Sequence, residues 1–580
     1  MSLNLASSAH ISCRHFPEKT ALIHDDRKLT YREFLKRLVA FAAHLRELGV
    51  KPGDKVALFC PNRMSFTIAY YGILQAGGTV VPISYLAVGR EVGYYLDDSD
   101  AVALIAWSEY AEAAREGFDS TAGCGQLLLF DESAGPLTMV DSAAVNPDAG
   151  CDITLTSSED TAVILYTSGT TGKPKGAELT HFNMYSNAQY CSEQLMGEPG
   201  RREIFGPGDV SLSALPLFHS FGQTCNQNSS IMGGAALTYL ERFDPEAALE
   251  VMERDRVTQF AGVPTMYFAL LNFEEADRYD LSSLRYCCSG GAAMPVEVMK
   301  DFDEKYNVNI LEGYGLSETA PVATFNVTYR PKKVGSIGVA IAGCEVKIFD
   351  GDDREAPPGE VGEIVIRGYN VMKSYYKRPE ATEEAFRNGW FHTGDMGTMD
   401  EDEYFFIVDR KKDIIIRGGE NISCLEVEQA IYAHPEISEC SVYGLPDERF
   451  GEVPAAVWLP VDGSSLTEAE LAQLAALVRS AIGYDQTCGD IVEVVNMKFA
   501  LPDTTLGTSS ASGFLDFSKN DIMRAVELAA LFFGGLAVIF FVIRPLVSGL
   551  LKGPQSVKLA MTDGSGRGGV PMLSGPDADS

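Results

Sequence analysis

From the start of the chain to about residue 410, short apolar runs alternate with segments whose apolar side chains recur every three to four residues. That is the pattern of buried strands joined by crossover helices. One unit illustrates it. Thr30 and Glu33 form a capping box, Leu35, Leu38, Ala42 and Leu45 share one helix face, Gly49 follows as a stop, and Val56 to Phe59 reads as the next buried strand. The same alternation returns at Thr79 to Ile83, Ala162 to Tyr166 and Val346 to Phe349, with no internal repeat. The expected fold class is α/β.

Near residue 500 the pattern stops, and LPDTTLGTSSASG reads as a linker or exposed loop. Leu528 to Ile543 then gives sixteen residues without a charge. With Ala525, Val526, Leu546 and Val547 it reaches the ~20 residues that a bilayer span requires. The alternative is a buried helix inside a domain, but the small and polar residues after Lys552 offer nothing to bury it, which favours the span. Lys519 and Arg524 precede this segment and Arg544, Lys552 and Lys558 follow it, a weak bias toward a cytoplasmic tail. The last twenty residues include seven Gly or Pro and read as disordered.

Composition narrows the function. The chain has 580 residues, 46% apolar and 22% charged, with a formal charge of −33, which argues against nucleic acid as a partner. Twelve cysteines include no CxxC, so neither a zinc site nor a disulfide framework is suggested and a reduced compartment fits. The first twenty residues lack the apolar run of a signal peptide, so the front of the chain is expected to stay in the cytoplasm.

The strongest motif is YTSGTTGKPKG, Tyr166 to Gly176, directly after an apolar strand. Gly169, Gly172 and Gly176 allow tight turns, Thr167, Ser168, Thr170 and Thr171 supply hydroxyl donors, and Lys173 and Lys175 supply charge. This composition suits a phosphate cradle, although Thr167 and Pro174 stand where a Walker A loop needs Gly and Ser/Thr. A flexible surface loop is the plainer reading, but it would not need so many donors.

YTSGTTGKPKG resembles the signature of the adenylate-forming superfamily, which includes acyl-CoA synthetases, luciferases and peptide-synthetase adenylation domains. PLFHSFG (Pro216 to Gly222), SGGAAMP (Ser289 to Pro295), GYGLSET (Gly313 to Thr319), GWFHTGD (Gly389 to Asp395) and DRKKDIIIRGGENISCLEVE (Asp409 to Glu428) follow in the family's order. The spacing over about residues 10–460 most resembles bacterial fatty-acid CoA ligases. The resemblance implies ATP, Mg²⁺ and coenzyme A, with a fatty or other carboxylic acid as substrate.

By that resemblance Thr167, Lys175, Glu318 and Arg410 are the catalytic candidates, and Glu318 is the Mg²⁺ ligand. Ser168, Gly169, Thr170, Thr171, Gly172 and Lys173 would cradle phosphate, and Ser317 and Gly315 would lie beside it. Tyr314 would stack on adenine against Gly290, Gly291 and Ala292, and Asp395 would accept the ribose hydroxyls. Phe218, His219 and Gly222 would line and gate an acyl pocket, and the run after them would form a hydrophobic tunnel. Asp409 would be the hinge of a small C-terminal domain whose Gly418, Gly419 and Glu420 face the site when CoA attacks. Taken singly, Glu318 could instead be a helix N-terminal carboxylate, Tyr314 a core aromatic and His219 a packed core histidine.

The resemblance departs at the end. The family's P-x-x-x-x-G-K segment supplies a lysine for adenylation, whereas here LPDTTLG is followed by Thr508. Residues 466–553 instead resemble the C-terminal region of the flagellar M-ring protein, with its GYD…VEVVNM strand and second membrane helix. The expected organisation is an adenylate-forming domain at 1–409, a truncated α+β ligase subdomain at 410–465, an M-ring-like segment and linker at 466–520, a single transmembrane helix at 521–552 and a disordered tail at 553–580. It implies an impaired acyl-CoA ligase held at the bacterial inner membrane. The alternative is a structural M-ring component, with ring-forming partners, carrying a ligase passenger.

Overall fold

The computed structural model describes residues 2–140, 143–167, 173–193, 205–410, 414–417, 420–432, 434, 437–447 and 451–460. The unit read from the sequence forms as expected. Thr30 and Glu33 make the reciprocal capping box of the helix Tyr31–Glu47, which buries Leu38, Ala42 and Leu45, while Leu35 packs partly buried beside them. The apolar runs become the strands Lys55–Phe59, Thr79–Ile83, Thr161–Thr167 and Cys344–Phe349.

Among the described residues the strands form four sheets. In the eight-stranded sheet Gln126–Asp131, Ala101–Trp107, Lys55–Phe59, Thr79–Ile83 and Thr161–Thr167 run parallel, and Lys175–Thr180 returns antiparallel beside Thr161–Thr167. In the nine-stranded sheet Ala236–Tyr239, Val210–Ser213, Gln259–Gly262, Tyr286–Ser289 and Ile310–Gly315 are the parallel middle. Parallel strands covered on both faces must be apolar throughout, and Thr79–Ile83 is buried at every position.

A third, antiparallel sheet contains Gly362–Gly368, Trp390–Met399 and Phe405–Arg410. The fourth, with Ile415–Arg417 and the long pair Ile437–Asp447 and Gly451–Pro460, packs the helix Cys424–Tyr432 and has its own small core around Ile415, Val427 and Ile431. The α/β fold class therefore holds, with a smaller α+β part beginning after Arg410.

Among the described residues no helix is long and apolar enough to cross a membrane. The expected span at 521–552, the linker, the tail and the M-ring-like segment lie outside the described residues.

Candidate active site

The ends of the two large sheets and the third sheet enclose a cavity of about 680 Å³. Thr167 ends its strand and is the register partner of Lys175, so the ends of the phosphate-cradle motif are fixed side by side. Ser168, Gly169, Thr170, Thr171 and Gly172 lie outside the described residues, as do Gly418 and Gly419, and nothing is described of the Glu420 side chain. Lys173 is exposed and does not line the cavity. Lys175 does, with its ammonium 5.3 Å from the centre of the Tyr375 ring.

Glu318 sits in the short turn Ser317–Thr319 and is 7% exposed. Its Oε1 accepts hydrogen bonds from Thr167 Oγ1 at 3.2 Å and from Tyr375 OH at 2.8 Å. Burial, then the Glu318 carboxylate, pushes the Tyr375 phenol well above its ordinary pKa, so it stays a donor. Oε2 has no hydrogen-bond partner among the described residues. Those residues also contain no cluster of three metal-binding side chains. One oriented carboxylate fits Mg²⁺, which keeps several waters and takes substrate phosphates as ligands, better than a metal held wholly by protein.

On the third sheet, Asp395 and Arg410 are register partners, and Arg410 Nε lies 3.1 Å from Asp395 Oδ1. Asp395 Oδ2 accepts from Tyr314 OH at 2.6 Å. Loss of solvation and then the Asp395 charge push that phenol up as well. The Asp395 carboxylate is buried whereas 69% of the Arg410 side chain is exposed, so this hydrogen-bonded group marks the cavity mouth. A carboxylate oxygen has more than one acceptor direction, so Asp395 can still receive hydroxyl donors.

Two glycines are required by the backbone. Gly291 has φ +84°, and a Cβ on Gly315 would lie 1.7 Å from the Pro321 carbonyl oxygen. Gly290, Gly291, Gly315 and Ser317 line the cavity, while Ala292 is exposed and does not. Ser317 Oγ is 3.4 Å from Ser220 Oγ.

His219 is exposed to the cavity, and loss of solvation beside the surrounding protein holds its pKa below the ordinary imidazole range. Phe218 is turned away from the cavity, edge-on to Tyr85 at 5.7 Å, and Gly222 is buried against the Pro216 carbonyl. Where a hydrophobic tunnel wall was expected, the chain is polar instead. Gly222–Asn228 is a π-helix whose Gln223, Thr224, Asn226, Gln227 and Asn228 are fully buried. Asp409 is off the cavity; its carboxylate accepts from the backbone N–H of Arg410 at 2.7 Å and of Cys424 at 2.5 Å.

Known proteins share this fold. The model of the AMP-binding enzyme family matches residues 10–376, and that of the AMP-binding enzyme C-terminal domain matches residues 426–507. The chain belongs to the AMP-binding enzyme family. The C-terminal match passes residue 465 and enters the stretch likened to the M-ring protein. A feruloyl-CoA synthase of Amycolatopsis sp is 39% identical over 474 residues, covering 81% of this chain and 91% of its own length. A long-chain-fatty-acid–CoA ligase of Bacillus subtilis is 35% identical over 525 residues, covering 86% and 91%. Among solved structures, an anthranilate CoA ligase in complex with anthranoyl-AMP superposes with a TM-score of 0.76 at 26% identity, over 83% of this chain and 91% of that one. The o-succinylbenzoate CoA synthetase of Bacillus subtilis, holding its acyl-adenylate, gives 0.71 at 29% identity, over 83% and 92%.

Within the family frame, several lining residues escaped the sequence reading, Tyr375 and Gln259 among them. Tyr375 is 57 positions from the carboxylate it bonds, and Gln259 is a single polar residue in an apolar strand. The one local signal for either was that polar interruption in VTQFAGV.

Proposed function

We propose that the cavity binds ATP and a carboxylic acid, joins them as an acyl adenylate with release of pyrophosphate, and then passes the acyl group to the sulfur of coenzyme A. The chain is an ATP-dependent acid–thiol ligase, and such family members use ATP, Mg²⁺ and coenzyme A. The observation that carries the reading is the convergence of Thr167, Lys175 and Glu318 on one wall, and of Tyr314, Asp395 and Arg410 at the mouth, of a single cavity.

Each residue then has a task. Thr167 orients the Glu318 carboxylate, and Lys175 brings positive charge to the phosphates. Glu318, together with the phosphates, would hold Mg²⁺, which when bound would supply positive charge against the phosphates. Tyr314 offers its ring to adenine, with bare backbone at Gly290 and Gly291 beside it, and Asp395, steadied by Arg410, accepts the ribose hydroxyls. Asp409 is the joint between the large domain and the smaller part, whose Gly418, Gly419 and Glu420 would serve the CoA step. The acid is of the acyl or aryl class turned over by the similar ligases.

The first half-reaction is slowed by the missing lysine at position 508. The Thr508→Lys substitution should therefore raise acid-dependent pyrophosphate release by ~10-fold or more, the usual scale of a transition-state charge contact. An unchanged rate would mean that another cation does this work. Membrane attachment through residues 521–552, and ring-forming partners with it, rests on the uncharged run Leu528 to Ile543. Fractionation with protease protection of the tail tests it, and recovery of the full chain away from membranes would reject it.

A further inference from the structure

The strand Gln259–Gly262 lies in the middle of the nine-stranded sheet, between Val210–Ser213 and Tyr286–Ser289. Alternation along it sends Phe260 into the apolar core on one face, while Gln259 reaches the cavity wall. Gln259 is fully buried, in contrast to the exposed Arg410 at the mouth, so it belongs to the cavity floor.

The amide of Gln259 is half satisfied. Its Nε2 donates to the backbone carbonyl of Cys225 at 3.4 Å. A carbonyl can only accept, so this bond fixes which end of the amide is nitrogen. The other end, Oε1, is buried without a hydrogen-bond partner among the described residues. A buried acceptor left unpaired costs about 1–3 kcal/mol. A plain alkyl tail reaching the floor would leave it unpaired, whereas a tail carrying an O–H or N–H would satisfy it.

We propose that Gln259 is a specificity residue that accepts a hydrogen bond from the far end of the substrate, so that the preferred carboxylic acid carries a hydroxyl or N–H donor on its tail. This rests on the ligase reading above and adds to it the polarity of the acid. Selectivity arises because a site built to pair a donor rejects an analogue without one far more strongly than an apolar pocket rejects an added hydroxyl.

The test uses inert adenylate mimics, so that a slow first half-reaction does not obscure it. Titration calorimetry on the full chain compares 5′-O-sulfamoyladenosine carrying a cinnamoyl group with the same compound hydroxylated at the ortho, meta or para ring position. At least one hydroxylated mimic should bind ~10-fold tighter than the unsubstituted one. Gln259→Leu and Gln259→Met should reduce that ratio to within about twofold by weakening the hydroxylated mimic. If all four mimics bind the wild type equally, or if the preference survives both substitutions, the role of Gln259 is refuted while the ligase reading stands. If none of the mimics binds, the preference for a donor-bearing tail is refuted, while the ligase reading stands or falls separately on formation of acyl-AMP from other acids. The wild-type comparison decides the matter even if a variant does not fold.

Discussion

The Glu318 carboxylate has one oxygen tied by Thr167 and Tyr375 and the other without a hydrogen-bond partner among the described residues, and the tied oxygen fixes the direction of the second. Under the proposed role of Glu318 as the Mg²⁺ ligand, Tyr375 is a positioning residue for it. Tyr375→Phe removes one hydrogen bond to a charged group while keeping the ring under Lys175. It should raise the Mg²⁺ concentration for half-maximal activity by about tenfold, with the acid KM and the melting temperature little changed. An unaltered Mg²⁺ titration would show that Thr167 alone suffices. The tie was invisible in the sequence because both its contacts are long-range. Thr167 and Glu318 are 151 positions apart, and no local period records such a pair. Thr167, Glu318 and Asp395 were named individually through the family likeness, and all three line the cavity.

At the scale of elements, amphipathic periodicity served well where a helix or strand has one apolar face and failed where the burial is polar. The capping box and apolar stripe of Tyr31–Glu47 follow directly from residues 30–47. The π-helix Gly222–Asn228 could not be read this way. Its GQTCNQN sequence is polar all round yet wholly buried, and it stands where an apolar tunnel wall was expected. That the junction of strand Phe405–Arg410 with helix Cys424–Tyr432 is a hinge was an expectation drawn only from the family likeness. The structure adds that the Asp409 carboxylate clips the helix start to the strand. Under the proposed hinge role, Asp409→Ala should slow CoA-dependent release of AMP by ~10-fold while acid-dependent pyrophosphate release changes much less, because a motion about this joint would serve the second step. Equal slowing of both steps would reduce Asp409 to a purely structural joint.

Across the whole molecule, the two large sheets are tied by a charged cluster. His24, on the nine-stranded sheet, lies 3.5 Å from both Glu132 and Glu241, and Arg63 pairs with the same two carboxylates. Glu132 follows the strand Gln126–Asp131 of the other sheet. Burial pulls the His24 pKa down, but Glu132 and Glu241 outweigh it and raise it to about 9. A raised histidine pKa contributes stability that is fully present below its unfolded value near 6.5 and is lost as pH rises through 9. His24→Asn should therefore destabilise by on the order of 3 kcal/mol at pH 6, and the difference from wild type should close by about pH 10. A melting-temperature difference that is the same at both pH values would contradict a charged His24.

Acyl adenylate formation in this cavity can be read most directly by mass spectrometry of stoichiometric protein incubated with ATP, Mg²⁺ and a panel of carboxylic acids. An acyl-AMP species is expected for at least one acid, lost in Glu318→Gln and converted to acyl-CoA when coenzyme A is added. ATP left intact, or cleaved to ADP with no acyl-AMP for any acid, would contradict it.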